Sequence, residues 1–347
     1  MKKLLAALAL LGAWSGSAQA AQPAEDQILE LCTQLYELGA AEPLPEACAD
    51  KIVAIDAGPG IGVFPKRTPP PVIADPPRDA AFPARNRQLL VPSRGEGMNA
   101  LFFLAAGEGP HPTMLLLHGL PGNERNLDLA QAVRRAGWNV LTFTYRGAWG
   151  SPGRFSIAGA IEDTDAAMAF LSSADAARDY GIDPRRLVIA GHSMGGLAAA
   201  LHAARAQDVA ALVLLDAWNA GATGEELASG GAAARKAFEQ GFDDLGNALQ
   251  GATVSTLYDE LIARRSEWKL PALAPRLAGL PVLTVYATHG GAAENKALAD
   301  AIRAAGAGRL TAVELDSDHS FADHRIALAV EVVRWLEYLA GPTGAAN

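Results

Sequence analysis

The chain has 347 residues, half of them hydrophobic, with 38 acidic side chains against 29 basic ones and a formal net charge of −9. That acidic balance argues against nucleic acid and against an anionic membrane surface as partners. The length suits one large α/β domain plus an extension, with no shortage of core.

Lys2 and Lys3 precede an apolar run over 4–11, and Ala18-Gln19-Ala20 supplies a small-x-small cleavage site. This pattern predicts a secretory signal over 1–20 and hence a periplasmic or secreted mature protein. Its loss would remove two lysines and make the balance more acidic still. The apolar run is too short to span a bilayer and no later run is long enough, so no membrane span is expected. Cys32 and Cys48 are the two cysteines, both near the N-terminus. In an exported chain such a pair points to a disulfide rather than a metal site. Ile28, Leu31, Cys32, Leu35 and Leu38 repeat at helical spacing, and 47–55 reads as a second short helix after Pro43 and Pro45. Residues 21–87 are therefore expected to form an N-terminal helical and proline-rich extension. It would be a stapled helical hairpin, with an extended proline-rich stretch over 58–92.

The globular domain is expected over 88–340. Residues 89–92 and 100–105 open it as a strand pair, and 113–118 is a continuous apolar run, as in a strand buried on both faces. Helical patterns then cover 127–136, 158–171, 197–206, 295–305 and 326–339. Strand patterns cover 140–145, 186–190, 211–215, 282–286 and 311–315. The alternation implies a mainly parallel, helix-covered sheet. Residues 217–280 break the rhythm with helical segments near 225–240 and 254–265, and are expected to cap the strand ends.

Gly191-His192-Ser193-Met194-Gly195 fills G-x-S-x-G between a strand pattern and a helix pattern, with a further glycine at Gly196. A serine on so sharp a turn projects its hydroxyl above the sheet, and small neighbours let the backbone fold that tightly. Ser193 is the candidate nucleophile; the bland alternative is a glycine-rich turn that packs a helix on a sheet. A serine hydroxyl needs a base, an orienting acid and donors for the developing oxyanion. His118-Gly119-Leu120-Pro121-Gly122 follows the strand at 113–118, which makes the N–H groups of Leu120 and Met194 the candidate oxyanion donors. His118 itself reads as a loop-shaping residue. Of the seven histidines, His319 stands just after the last strand and is the candidate base. His324 competes but lies further towards the terminal helix, and His192 points away from the hydroxyl of its neighbour. No His/Cys/Asp cluster has ligand spacing, so neither metal nor organic cofactor is expected.

Four motifs in order carry a resemblance. They are His118-Gly119-x-Pro121-Gly122, then Tyr145-Arg146-Gly147-x-Trp149-Gly150-Ser151, then Gly191 to Gly196, then Asp318-His319-Ser320-Phe321. The run resembles the α/β-hydrolase superfamily, and is similar to the branch holding prolyl-oligopeptidase-like peptidases, acyl-peptide hydrolases and related esterases. The likeness covers about 88–340 and is specific for fold, not for substrate. It implies an α/β-hydrolase fold, Ser193 as nucleophile, His319 as base and a cap that shapes the pocket. Such enzymes usually carry the acid a few residues beyond the strand here at 282–286. This chain instead has Ala287-Thr288-His289-Gly290-Gly291-Ala292-Ala293-Glu294, with Gly290 near the expected place.

Three readings stay open. Asp216, ending the apolar run over 212–215 where an unpaired charge would be costly, could supply the carboxylate. Glu294 could reach back from its helix, or the acid could be absent. Asp216 is the leading candidate, though it could equally cap the first turn of the cap.

The expected function is an exported serine hydrolase acting on a small-molecule ester or peptide, ester favoured, through an acyl-enzyme. An acid-less site would be slow rather than dead, which leaves a binding protein on a hydrolase fold as the other class of reading. Arg146 is expected to fix its loop, and Asp163 and Asp165 to be solvated or loop-bracing. Trp149, Trp218 and Trp268 are candidates for the pocket wall.

Overall fold

The computed structural model describes the backbone of residues 52–56 and 61–65, and residues 68–241, 245 and 248–339 in full. It divides into two units, residues 1–68 and 69–347. In the first, β1 (Ile52–Asp56) pairs antiparallel with β2 (Ile61–Pro65). This corrects the expected helix of 47–55 over its residues 52–55, with 47–51 outside the described residues, and the unpaired extended stretch expected at 61–65. Ile52, Val53 and Ile55 are β-branched and favour a pleated strand, and Asp56, Gly58, Pro59 and Gly60 offer turn chemistry before the next apolar run. The predicted signal, the helix around Ile28, and Cys32 and Cys48 lie outside the described residues.

The second unit is built on an eight-stranded sheet. Its strands are β3 (Arg85–Ser93), β4 (Glu96–Leu104), β5 (His111–Leu117), β6 (Asn139–Phe143), β7 (Ile182–His192), β8 (Ala211–Leu215), β9 (Val282–His289) and β10 (Leu310–Asp318). The spatial order is β3-β4-β6-β5-β7-β8-β9-β10. β4 runs antiparallel to β3 and β6, and every other pairing is parallel. This is the expected mainly parallel, helix-covered sheet of the α/β-hydrolase fold.

The strand cores are apolar on both faces because helices cover both. Leu115 and Leu117 of β5 face the core shared with α3 (Ile157–Leu171) and α5 (Met194–Ala203). Met114 and Leu116 face the core shared with α2 (Leu127–Arg135) and α10 (Arg325–Leu339). A short α1 (Pro70–Ile73) packs on α2 and α10, so the unit starts well before its first strand. α4 (Ala174–Tyr180), absent from the sequence expectation, is held at its ends rather than by periodicity. The Ser173 side chain accepts the Ala176 N–H, and Gly181 closes the helix at φ 62°.

Between β8 and β9 lie α6 (Ala220–Gly241), kinked at Gly231, then α7 (Val254–Arg264), a 3₁₀ turn (Leu270–Leu273) and α8 (Ala274–Leu277). This cap is tied to the body by hydrogen bonds. Glu260 of α7 accepts the N–H groups of Ile157 and Ala158 at 2.9 and 2.8 Å, placing a carboxylate on the positive end of α3. Residues 248–250 exchange backbone bonds with the loop after β6: Trp149 N–H donates to Ala248 and Gln250 N–H to Gly147. α9 (Ala292–Ala304) follows β9. Among the described residues no helix is long and apolar enough to cross a membrane.

Candidate active site

The loops after β5, β7, β8, β9 and β10 meet at the carboxyl ends of parallel strands, the edge where open α/β sheets form their crevices. Ser193 stands between β7 and α5 at φ 54° and ψ −118°. Such a conformation costs about 1–3 kcal/mol for a residue with a Cβ, and persists only where neighbours over-determine it. Here its N–H donates to the Leu215 carbonyl at 3.0 Å, and its own carbonyl accepts from Trp218 N–H at 2.9 Å. The motif's glycines answer to space. A Cβ on Gly191 would fall 2.1 Å from the Gly195 carbonyl oxygen, and one on Gly195 2.5 Å from that of Leu117.

The loop after β5 lies directly against the serine: a Cβ on Gly119 would stand 2.9 Å from Ser193 Cβ. Leu120, next in that loop, lines the same cavity as Ser193. Met194 is the first residue of α5, where a helical N–H has no intrahelical acceptor. His118 is buried. Its Nδ1 lies 2.7 Å from the Gly119 carbonyl, and Tyr145 donates its hydroxyl to the His118 carbonyl at 3.1 Å. Burial lowers its pKa to about 4, so it stays neutral and shapes the loop.

His319 follows β10 in a loop closed on itself. Asp318 accepts the N–H groups of Ser320 and Ala322 at 3.0 and 2.8 Å. Arg325 reaches back to the Ser320 carbonyl at 2.8 Å while paired with Asp128 at 2.6 Å. The His319 Nδ1 lies 2.5 Å from Asp216 Oδ2. A carboxylate facing Nδ1 selects the tautomer in which Nδ1 donates, and in the neutral imidazole that leaves Nε2 with its lone pair.

Asp216 sits just beyond β8, at φ 43° and without solvent exposure. Besides His319 it accepts the N–H of Gly291 at 2.9 Å and of Ala287 at 3.2 Å. A buried charge that would be costly alone thus has partners from β9, the turn after it and the loop after β10. The departure at Gly290 has a spatial meaning. A Cβ there would fall 2.2 Å from Asp216 Oδ2 and 3.1 Å from His319 Cα. The glycine at 290 and the aspartate at 216 are two sides of one packing arrangement.

Asn295 is a residue that sequence reasoning missed. Fully buried, it accepts the Ala217 N–H at 3.0 Å and donates to the carbonyls of Ala217 and Gly291 at 3.1 and 2.9 Å. It locks the chain around Asp216 to the loop after β9. Its signal was its place on the stripe Asn295, Leu298, Ala299 and Ile302, a polar residue where α9 buries its face.

The other candidates are placed elsewhere. Glu294 is exposed at the cavity wall and, among the described residues, makes no ion pair with His319. His192 is buried, its Nε2 2.8 Å from the His319 carbonyl, and burial lowers its pKa to about 4. It braces the backbone of His319. His324 lies 3.0 Å from its neighbour Asp323. Arg146 and Asp163 form a loop brace: buried Asp163 accepts from Arg146 Nε at 2.5 Å, from its backbone N–H at 2.8 Å and from Ser93 at 2.6 Å. Of the three tryptophans only Trp218 lines the cavity with Ser193. Trp149 donates its indole N–H to the Pro121 carbonyl, beside a separate cavity of about 540 Å³, and Trp268 is packed in the core.

Ser193, Asp216 and His319 share one cavity of about 480 Å³, walled also by Leu120, Trp218 and Glu294. Asn219, Thr223 and Phe238 bring the cap into its lining. Among the described residues no three His, Cys, Asp or Glu side chains are grouped to hold a metal ion.

Comparison with known proteins agrees with this architecture. Residues 114–332, more than half of the chain, match the alpha/beta hydrolase family, and the chain belongs to it. Two uncharacterized proteins of Mycobacterium tuberculosis, from strains CDC 1551 and H37Rv, are each 32% identical over 140 residues. The match covers 40% of this chain and 48% of theirs, so the chain spans about half the length of the curated relatives it matches. Among solved structures, the 2,6-dihydroxy-pseudo-oxynicotine hydrolase is similar at a TM-score of 0.55 and 18% identity, over 75% of this chain and 68% of that one. A thermostable carboxylesterase from a metagenomic library is similar at a TM-score of 0.53 and 18% identity, over 91% of this chain and 99% of its own. The esterase of Pyrobaculum calidifontis is similar at a TM-score of 0.50 and 18% identity, over 75% and 88%. At these identities the likeness is one of fold.

Proposed function

We propose that this alpha/beta hydrolase is a serine hydrolase that cleaves an ester, or less readily an amide, through an acyl-enzyme on Ser193. The observation that carries the reading is the 2.5 Å contact between His319 Nδ1 and buried Asp216, in the cavity that Ser193 lines. With Nδ1 engaged, Nε2 is the nitrogen free to act as base. The Ser193 hydroxyl gives its proton to Nε2 as Oγ bonds to the substrate carbonyl carbon, and the carbonyl electrons move onto oxygen. The Leu120 and Met194 N–H groups receive that oxyanion. The imidazolium, stabilised by Asp216, then protonates the leaving alcohol or amine as its bond to carbon breaks. Water repeats the sequence on the acyl-enzyme, releasing the acid and restoring Ser193.

The carboxylesterase and esterase that share the fold support the ester preference. The non-catalytic binding reading drew on a missing acid, and the Asp216 contact leaves it without that support. Export rests on the sequence pattern of residues 1–20 and belongs to the same proposal, as does a bridge between Cys32 and Cys48. The test is hydrolysis of short-chain nitrophenyl esters by wild type, Ser193→Ala and His319→Ala. The expected loss in kcat is about 10⁴ or more for each; full activity in either folded variant would overturn the assignment.

A further inference from the structure

Glu294 is left over by this mechanism, yet it lines the reaction cavity. We infer that the cavity selects a substrate carrying a cationic amine or quaternary ammonium group, held by Glu294 and the aromatic walls Trp218 and Phe238; this rests on the serine hydrolase reading.

The argument begins with charge. The cavity lining contains two carboxylates, Asp216 and Glu294, and among the described residues no lysine or arginine. Asp216 is already engaged by His319 and by two backbone N–H groups. Glu294 is exposed, and none of its neighbours on α9 pairs with it, since Lys296 and Arg303 both bind Asp300. An anionic substrate group entering here would meet like charge with no lysine or arginine in the lining to offset it, which is specificity by repulsion. A cation would gain from the carboxylate.

The aromatic surface points the same way. Trp218 and Phe238 are half-buried and line the cavity, and Phe238 also packs edge-on against the Tyr258 ring at 5.9 Å. The Trp218 indole is fixed by donating its N–H to Thr223 at 2.8 Å, which leaves the ring itself as recognition surface. Aromatic rings and a carboxylate lining one cavity are the combination that recognises ammonium groups. Glu294 also lies in the first turn of α9, where a carboxylate suits the helix end. That role would appear in stability and not in substrate choice, so the two are separable.

The experiment uses isosteric pairs. Choline butyrate is compared with its carbon analogue, in which tert-butyl replaces trimethylammonium, so the charge lies in the alcohol. The nitrophenyl ester of trimethylammonio-butyrate is compared with its tert-butyl analogue, so the charge lies in the acyl part. In at least one pair, wild type is expected to favour the cation by about tenfold in kcat/KM, with Glu294→Gln removing most of that ratio. Ratios near one in both pairs, or a ratio that Glu294→Gln leaves intact, would overturn the inference while neutral esters are still turned over. If wild type hydrolyses neither member of either pair nor any neutral nitrophenyl ester, it is the serine hydrolase reading that has failed, and this inference with it.

Discussion

The turn after β7 and the turn after β9 both shape the cavity around His319, by opposite means. The first is crowded and strained. Ser193 holds a left-handed backbone because Leu215 and Trp218 bind it on both sides, and its glycines are glycines because the neighbouring backbone leaves no room. The second contributes by what it lacks. Gly290 offers no side chain, and the space is filled from the end of β8 by the carboxylate of Asp216. The first turn presents its chemical group; the second makes room for one and donates the Gly291 N–H to it. On the proposed mechanism, the acid would then serve from the end of β8 the point in space that the turn after β9 leaves open.

The largest effect that could break this comparison is at Asp216 itself. Asp216→Asn keeps the shape but removes the charge that orients His319, and kcat is expected to fall by about 10⁴. Steady-state kinetics on a nitrophenyl ester, with circular dichroism as a control for folding, checks it. A fall of less than tenfold would mean that His319 works without this partner. A smaller effect is expected one layer out. Asn295→Ala releases the clamp between Ala217 and Gly291, and small misplacements of a catalytic group are worth about ten- to a hundredfold. The loss should appear in kcat with KM little changed, because Asn295 touches Asp216 and its support and does not line the cavity. A change confined to KM would contradict this role.

An effect on stability, with no loss of rate at neutral pH, concerns pH and sharpens the contrast between the buried histidines and the exposed one. His118 and His192 keep pKa values of about 4 in the fold against an ordinary 6.5, because burial disfavours their charged forms. Above pH 6.5 both are neutral whether folded or unfolded, and stability is complete. As pH falls from 6.5 towards 4 the unfolded chain takes up protons that the folded chain refuses, and stability drops. Each accounts for roughly 3 kcal/mol across the window. Urea midpoints at pH 7 and pH 5 should show the decline, and His192→Gln should flatten it. An equal slope in the variant would count against a buried neutral His192.

What the sequence shows of this molecule follows the range of the interactions involved. The Ser193 elbow is local: an apolar strand, a tight glycine turn and an alanine-rich helix are contiguous, so the pattern announces itself. His319 is legible because it follows the last strand. The strand at 52–56 was missed because a short segment with apolar spacing fits helix and strand alike, and β-branching was the deciding feature. α4 was missed because its ends, not its face, define it. Gly290 could not be interpreted from its own neighbourhood, since its meaning depends on Asp216 at the end of a different strand. The role of Asn295 was hidden for the same reason, since it is read from contacts with Asp216 and Ala217 beyond a different strand.

The central claim is that the Asp216 carboxylate works in the space that Gly290 leaves open, and moving the acid tests it most directly. Asp216→Gly suits the backbone, whose φ of 43° glycine adopts freely, and empties the space. Gly290→Asp in that background offers a carboxylate from the turn after β9. The account predicts that Asp216→Gly loses about 10⁴ in kcat and that the double variant regains at least about tenfold of it. A double variant that folds yet stays as slow as Asp216→Gly would contradict the shared-space account, and an Asp216→Gly enzyme with wild-type kcat would contradict the role of Asp216 altogether.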